Sequence, residues 1–367
     1  MKATRQLHDL GQSLWLDNIT RTLLDDGTLA RYINEDSITG LTSNPSIFDK
    51  AIGDGDAYDA GIHAKTLAGL SGEKLFTELA LEDLRRAADL FAPVYQRTDG
   101  MDGWVSMEVS PLLAADSAGS IAAAKQIHAA GKRDNLFVKI PGTPEGVSAI
   151  EESIFLGIPI NVTLLFSCAQ YQAAAEAYLR GIERRIEAGL DPRVRSVASL
   201  FISRWDVAAN EQLPEAMHNR LGIAVGRQTY RAYRQMLSSA RWQKLAAAGA
   251  QPQRLLWAST GTKDPKAPDT LYVTALAAPD TINTVPENTL HAFADHGELD
   301  GVMPPDGGDA EAVLAQIGEA GVDVDALAQK LQRDGAASFV KSWRQLLQRI
   351  ADKATALGDK GQGPAMS

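Results

Sequence analysis

Short apolar runs alternate with helical patterns along most of the chain. Tyr171, Ala175, Tyr178, Ile182 and Ile186 recur at helical spacing in one stretch between two such runs. Strands that alternate with helices are typical of parallel sheets. Eight such units therefore predict an α/β fold, a (β/α)8 TIM barrel, with a doubly wound sheet as the alternative. The eight candidate strands are SLWLDNI, ITGLTSN, WVSMEVS, NLFVKIP, INVTLLF, SVASLFI, RLLWAST and TINTVP.

Additional C-terminal helices are predicted after the eighth run. In SFVKSWRQLLQRIADKATAL, one helical face carries only large apolar side chains, so we expect this helix to cover the outside of the barrel or its mouth. We expect a single barrel domain over 1–357, and disorder over the glycine-rich tail 358–367. The apolar face consists of Phe339, Trp343, Leu346, Ile350 and Leu357.

Polar side chains occur on one face of most candidate strands, toward their C-terminal ends. In NLFVKIP, for example, Phe137 and Lys139 share a face because side chains alternate across a strand. A buried ammonium group is costly, so burial favours the neutral amine, which is a nucleophile toward carbonyls. Because barrel enzymes build their chemistry at the C-terminal ends of the strands, we expect the polar groups to meet there. They are Asp17, Asn44, Glu108, Lys139, Asn161 with Thr163, and Ser199, which shares a face with Phe201.

Each of these residues also has an ordinary structural interpretation. Taken together, those interpretations require six independent coincidences at one end of one barrel, which favours a functional site. The alternatives are a surface position on an edge strand for Lys139, a structural ion pair for Glu108, a helix N-cap for Asp17, a turn for Asn44, and backbone hydrogen bonds for Asn161 and Thr163.

Composition restricts the class of function. The 367 residues are 45% hydrophobic and 22% charged, as in ordinary globular proteins. The net charge of −10 argues against nucleic acid or an anionic membrane as partner, and no apolar run could span a bilayer. Cys168 is the one cysteine, and MKATRQLHDLG has no signal-peptide core, so we expect a reducing, cytoplasmic location. The six histidines form no HExxH motif or cysteine cluster, so no metal site is expected.

Five stretches together resemble the transaldolase family. They are LWLDNI, GLTSNPSIF, VSMEVSP, NLFVKIPGTPEG with INVTLLFS, and LLWASTGTKDP, and the match runs from about Leu14 to His296. The details are similar to the longer bacterial form that is also found fused to an isomerase, although no isomerase portion follows here. The resemblance implies a (β/α)8 barrel, a class I mechanism without a cofactor, sugar phosphates as substrates, and a place in the pentose phosphate pathway.

The resemblance also assigns roles. Lys139 would form a Schiff base with a ketose phosphate, fructose 6-phosphate or sedoheptulose 7-phosphate. Glu108 would act as general acid and base through a water that Thr163 holds, and Asp17 would take the proton of the C4 hydroxyl. The dihydroxyacetone unit would then pass to an aldose phosphate. The residues that bind its hydroxyls would be Asn44, Asn161 and Ser199, and Phe201 would line the pocket.

A phosphate site is implied after the sixth and seventh strands. Arg204 and Ser259 match the phosphate-binding arginine and serine of the family. Shorter members carry an arginine two residues after that serine, whereas this chain continues to Lys263 without one. We expect Lys263 to replace it, although a lysine is a weaker geometric clamp and an ordinary solvated lysine is the alternative.

Two rival functions stay open at this point. Fructose 6-phosphate aldolases of the same superfamily release free dihydroxyacetone, but they resemble this chain less, because they carry Gln in place of Glu108 and Tyr in place of Phe201. A sugar-phosphate-binding protein without turnover would have no need of Lys139 as a neutral amine. The sequence leaves the oligomeric state open, a homo-oligomer included.

Overall fold

The computed structural model describes residues 1–361, in which eight parallel strands close into a barrel. Each strand pairs with the next in chain order and the eighth pairs with the first, which confirms the predicted (β/α)8 fold. Every candidate strand forms within its predicted run or one residue beyond it. The strands are β1 (Ser13–Asp17), β2 (Ile38–Thr42), β3 (Trp104–Glu108), β4 (Leu136–Pro141), β5 (Ile160–Leu165), β6 (Ser196–Phe201), β7 (Gln253–Ala258) and β8 (Thr281–Val285).

Helices surround the barrel and follow most of its strands. Short 3-10 helices also span Pro111–Leu113, Asn210–Gln212 and Glu215–Met217. Within residues 1–361, no helix combines the length and the apolar character needed to cross a membrane. The α-helices are α1 (Ala3–Asp9), α2 (Arg21–Asp25), α3 (Thr28–Glu35), α4 (Pro45–Gly53), α5 (Asp59–Leu67), α6 (Gly72–Arg97), α7 (Ser117–Gly131), α8 (Pro144–Phe155), α9 (Cys168–Glu187), α10 (Ser203–Ala209), α11 (Leu221–Ser238), α12 (Ala240–Ala247), α13 (Leu271–Ala275), α14 (Glu287–His296), α15 (Ala310–Glu319) and α16 (Val324–Gly361).

Aromatic rings fill the barrel interior beneath the polar ends of the strands. Trp104 and Phe137 stack with their ring centroids 4.0 Å apart, and Trp15 lies 6.3 Å from Phe137. Gly40 on β2 leaves room for this packing, because a Cβ there would lie 2.5 Å from the Trp15 indole. The interior is therefore a packed core in its lower part.

A buried ion pair lies at the N-terminal end of the barrel, where Arg254 of β7 is 3.3 Å from Asp102. The Asp102 carboxylate also accepts hydrogen bonds from Ser13 Oγ (2.5 Å) and Trp15 Nε1 (3.0 Å). The Arg254 guanidinium donates to Ser13 Oγ (2.6 Å) and to the carbonyl of Thr281 (2.9 Å). Asp102 and Arg254 are thus hydrogen-bonded to each other and to the side chain of Ser13 inside this end of the barrel.

Helix α16 covers the outside of the barrel and also reaches its mouth. Trp343 packs edge-on against Phe76 of α6, with centroids 5.1 Å apart. Nearer its start, Gln332 donates hydrogen bonds to the carbonyls of Gly142 (2.9 Å) and Leu164 (3.0 Å). Helix α16 therefore occupies both expected locations, the outside of the barrel and its mouth. The predicted tail, 358–367, starts within α16, and residues 362–367 lie outside the described residues.

Candidate active site

The C-terminal ends of the strands surround a cavity of about 620 Å³. Its volume lies within the range of small-molecule sites. The two predicted site residues that do not line it, Glu108 and Asn161, contact residues that do. All predicted site residues therefore meet at one end of the barrel. Those that line the cavity are Asp17, Asn44, Lys139, Thr163, Ser199, Phe201, Arg204, Ser259 and Lys263.

Lys139 and Glu108 form a buried pair because β3 and β4 place them side by side in register. Lys139 is 5% exposed and Glu108 is 8% exposed. Lys139 Nζ lies 3.5 Å from Glu108 Oε2 and donates a hydrogen bond to the carbonyl of Ser43 at 2.9 Å. Burial raises the pKa of the Glu108 carboxyl, and the attraction of Lys139 opposes that rise. The amine and a proton-carrying group are thus held together away from solvent.

Unused hydrogen-bonding capacity is present beside this pair. Glu108 Oε2 and Thr163 Oγ1 are buried, and neither makes a hydrogen bond to any group of the described residues. Thr163 lies on β5, the strand next to Lys139. Since buried polar atoms normally have partners, these two atoms are suited to bind a water or a ligand hydroxyl.

Asp17 ends β1 and is held by a hydroxyl of the neighbouring strand. Thr42 Oγ1 donates to Asp17 Oδ1 at 2.8 Å and lies 2.6 Å from Thr284 Oγ1 of β8. Burial raises the pKa of Asp17, and the charge of Lys139 opposes the rise. Asp17 is not a helix N-cap, because Thr20 caps α2 instead.

Asn161 and Ser199 form a polar pair on neighbouring strands. Ser199 Oγ donates to Asn161 Oδ1 at 2.7 Å, and Asn161 Nδ2 donates to Ser106 Oγ at 3.2 Å. Both bonds join side chains, so they fix the orientation of the Asn161 amide. They do not support the alternative in which Asn161 satisfies backbone groups.

Asn44 serves two structural purposes. Its Oδ1 accepts from Ile47 N at 3.1 Å and so caps α4, and it also accepts from Ser46 Oγ at 2.6 Å. The alternative interpretation, a turn before Pro45, is thus close to what is found. The Asn44 side chain nevertheless borders the cavity, where its amide NH2 group can donate to a ligand.

Ser259 adopts a left-handed backbone conformation (φ 55°), which is unusual for a residue other than glycine. In this conformation its carbonyl accepts from Ser203 N at 2.9 Å, and the two Oγ atoms are 3.0 Å apart. Such outliers cluster at functional sites. The turn after β7 thus presents two hydroxyls at one side of the cavity.

Arg204 provides a cation at the same side. Its Cζ lies 5.0 Å from the ring centroid of Phe201 and 5.8 Å from that of Phe339 of α16. Burial lowers its pKa, and Asp17 and Glu108 oppose the shift. Lys263 is exposed at the rim. Among the side chains that the structure describes, neither cation is in an ion pair, so both can bind an anion.

Sequence reasoning missed several residues that touch the site. Alternation alone places Thr42 on the same face as Asn44, but only the strand pairing shows that its hydroxyl meets that of Thr284. Ser43 lies on the opposite face and enters the site through its backbone carbonyl, which no side-chain pattern indicates. The apolar pattern of α16 predicts burial of Phe339 but does not indicate that its ring lines the cavity. In the described part of the chain, no group of three or more His, Cys, Asp or Glu side chains is placed to hold a metal ion.

Comparisons with family models and with known proteins point to the same family. A family model described as transaldolase/fructose-6-phosphate aldolase matches residues 14–350. The chain is 44% identical over 361 residues to a transaldolase of Thermobifida fusca, with 96% of this chain and 98% of that protein covered. It is 44% identical to a transaldolase of Arthrobacter sp. (94% and 95% covered). For a transaldolase of Thiobacillus denitrificans, the identity is 43%, with 95% and 100% covered.

Proposed function

The chain belongs to the transaldolase/fructose-6-phosphate aldolase family, and we propose that its cavity transfers a dihydroxyacetone unit between sugar phosphates through an imine on Lys139. The donor is a ketose phosphate, fructose 6-phosphate or sedoheptulose 7-phosphate, and the acceptor is an aldose phosphate. The observation that carries the proposal is one arrangement: a buried amine 3.5 Å from a carboxyl whose pKa is raised, in the same cavity as Asp17.

Imine formation uses Lys139 and Glu108. A proton passed from Nζ to Glu108 gives the neutral amine that attacks the carbonyl and a carboxylic acid that can later donate. The amine adds to the C2 carbonyl carbon of the ketose, and Glu108 returns a proton to the departing hydroxyl, which leaves as water. The unpaired Thr163 Oγ1 supports this step by holding that water.

Cleavage uses Asp17. Its ionised carboxylate takes the proton of the C4 hydroxyl, the C3–C4 bond breaks, and its electron pair moves into the iminium to form an enamine. An aldose phosphate leaves. The reverse sequence then adds C3 of the enamine to the aldehyde carbon of the acceptor, and hydrolysis of the new imine releases the product ketose.

The three-carbon unit must stay bound while the aldehydes exchange. The hydrogen-bonded Asn161–Ser199 pair and the amide of Asn44 supply groups for its hydroxyls. Phe201 supplies an apolar wall that limits the access of protons and water to the enamine. Retention of this unit is what distinguishes a transferase from an aldolase.

The phosphate is assigned to the side of the cavity that carries Arg204, Ser203 and Ser259. A guanidinium beside two hydroxyls is suited to phosphate oxygens. Lys263 at the rim is the second cation, in place of the arginine that shorter members of the family carry. The likeness over nearly the whole chain to proteins named transaldolase supports transfer and does not favour the aldolase that releases free dihydroxyacetone.

Reductive trapping tests the imine. Borohydride added with fructose 6-phosphate is expected to leave a three-carbon adduct on the peptide that contains Lys139. Lys139→Met, which keeps the length of the side chain without the amine, should give no adduct and no turnover. An adduct on another lysine, or turnover by the variant, would refute the proposal.

A partition assay tests transfer against release. With erythrose 4-phosphate present, the protein should convert fructose 6-phosphate into glyceraldehyde 3-phosphate and sedoheptulose 7-phosphate. Without an acceptor, little free dihydroxyacetone should appear. Release of dihydroxyacetone at the same rate with and without acceptor would instead support the aldolase.

A further inference from the structure

Two threonine hydroxyls connect Asp17 to both strands that flank it. Strand β1 lies between β2 and β8, which carry Thr42 and Thr284 at their C-terminal ends. Thr42 Oγ1 is 2.8 Å from Asp17 Oδ1 and 2.6 Å from Thr284 Oγ1. Both threonines are 3% exposed, so water cannot easily replace either contact. The barrel thus builds a hydrogen-bonded chain of two hydroxyls that ends on one carboxylate oxygen.

The chemistry of the groups sets the direction of this chain. An ionised carboxylate only accepts, so Thr42 must give its single hydroxyl proton to Asp17. Thr42 Oγ1 then remains an acceptor, and Thr284 must donate to it. A hydroxyl that accepts one hydrogen bond donates the next one more strongly. The hydrogen-bonded pair of threonine hydroxyls therefore stabilises the ionised form of Asp17.

Asp17 lies between two openings in the protein surface. It borders both the cavity of about 620 Å³ and a neighbouring cleft of about 1040 Å³. A carboxylate between two openings needs a fixed contact to stay aimed at the cavity, and the Thr42 bond on Oδ1 supplies it while Oδ2 stays available to the substrate.

We propose that Thr42 and Thr284 are positioning residues of the reaction, with Thr284 acting on Asp17 through Thr42. The two hydroxyls hold the carboxylate toward Lys139 and keep it ionised in its buried place. This inference depends on the role of Asp17 as base in the proposed function.

Isosteric variants test the chain. Thr42→Val should lower kcat roughly 10- to 100-fold, because a hydrogen bond to a charged group is lost. Thr284→Val should lower it roughly 3- to 10-fold, since the bond lost is between neutral groups. In both, the acid limb of the kcat–pH profile should move to higher pH, because the ionised form of Asp17 loses support. KM should change little.

Borohydride trapping separates this effect from a general loss of structure. Imine formation does not require Asp17, so each variant should still form an adduct on Lys139, with more intact six-carbon adduct and less three-carbon adduct than the unaltered protein. Thr42→Ser, which keeps the hydroxyl, should restore most of the activity. The control is Thr281→Val at the opposite end of β8, which should leave the pH profile in place.

A double variant tests whether Thr284 acts through Thr42. Thr42→Val with Thr284→Val should lose no more kcat than Thr42→Val alone. A loss equal to the product of the single losses, or unchanged kcat and pH profile in Thr284→Val, would overturn the inference. Asp17→Asn distinguishes the two failures: if it keeps full turnover, the proposed role of Asp17 fails, whereas if it is inactive, only the threonine chain is in question.

Discussion

Asp102 lies at the N-terminal end of the barrel, and its removal should lower stability without affecting the chemistry at the other end. Its carboxylate accepts from Ser13 Oγ, Trp15 Nε1 and the Arg254 guanidinium, at 2.5, 3.0 and 3.3 Å. Asp102 is 5% exposed and Arg254 is 6% exposed, so Arg254 cannot recover by turning into solvent. Asp102→Ala therefore leaves a guanidinium buried inside the barrel without its counter-charge.

The size of the effect follows from these contacts. Removing one partner of a buried ion pair costs about 3–5 kcal/mol. Asp102→Asn keeps an acceptor for Ser13 or Trp15 and should cost less, about 1–3 kcal/mol. Asp102→Asn combined with Arg254→Met removes both charges and should recover part of the loss, because no unpaired charge remains.

Denaturant unfolding measures these differences directly. The midpoint in guanidinium chloride should fall in the order unaltered protein, Asp102→Asn, Asp102→Ala, at an unchanged m-value. The kinetic constants of each folded variant should stay close to those of the unaltered protein, because the network lies at the opposite end of the barrel from Lys139. A cost below about 1 kcal/mol for Asp102→Ala would refute the reasoning, since exposed pairs cost no more than that.

Three further predictions concern pH, the phosphate side and proton transfer. Burial raises the pKa of Asp206 to about 6, so the folded state binds this proton more tightly than the unfolded chain does. As the pH rises from about 4 to about 6, the free energy of unfolding should therefore fall by up to about 3 kcal/mol relative to that of Asp206→Asn. Urea titrations at several pH values measure this difference, and a difference that stays flat or rises would contradict the prediction. Gly335→Ala places a Cβ 3.0 Å from Leu164 Cδ2 and 3.2 Å from Arg204 Nη1. Because Arg204 must shift to make room, KM for phosphorylated donors should rise several-fold, whereas Gly318→Ala in α15, with nothing within 4 Å, should change stability alone. Glu108→Gln should lower the rate of borohydride trapping on Lys139, measured by quenching samples at set times, by roughly 10²- to 10⁴-fold. An unchanged rate would exclude Glu108 as the proton donor.

The strands and the faces that they present could be predicted from the sequence because both depend on local patterns. Alternation places Lys139 and Glu108 inward whatever the neighbouring strands are, and parallel pairing brings the C-terminal ends together. The family resemblance added roles to residues such as Asp17, whose pattern alone left a helix N-cap open. The structure removes that alternative, because Thr20 is the cap.

Contacts between distant segments could not be predicted in the same way. Thr42 and Thr284 are 242 positions apart, and only the closure of the barrel brings their hydroxyls together. The register of β5 and β6 shifts between Val162 and Leu165, where Leu164 is left-handed (φ 58°). No alternation rule anticipates such a bulge. The path of α16 depends on the surface beneath it, so its apolar face indicated burial but not which side chain would border the cavity.

The cavity wall is shared between the first strand and the last helix, and this arrangement bears on how the protein is synthesised. Phe339, which packs over Arg204, follows all eight strands in the chain. During translation the barrel strands can therefore leave the ribosome while the wall around the reactive amine is still incomplete. We therefore expect a nascent chain that lacks α16 to have an open cavity on the side of Arg204, so that the site is complete only once the last helix has been synthesised.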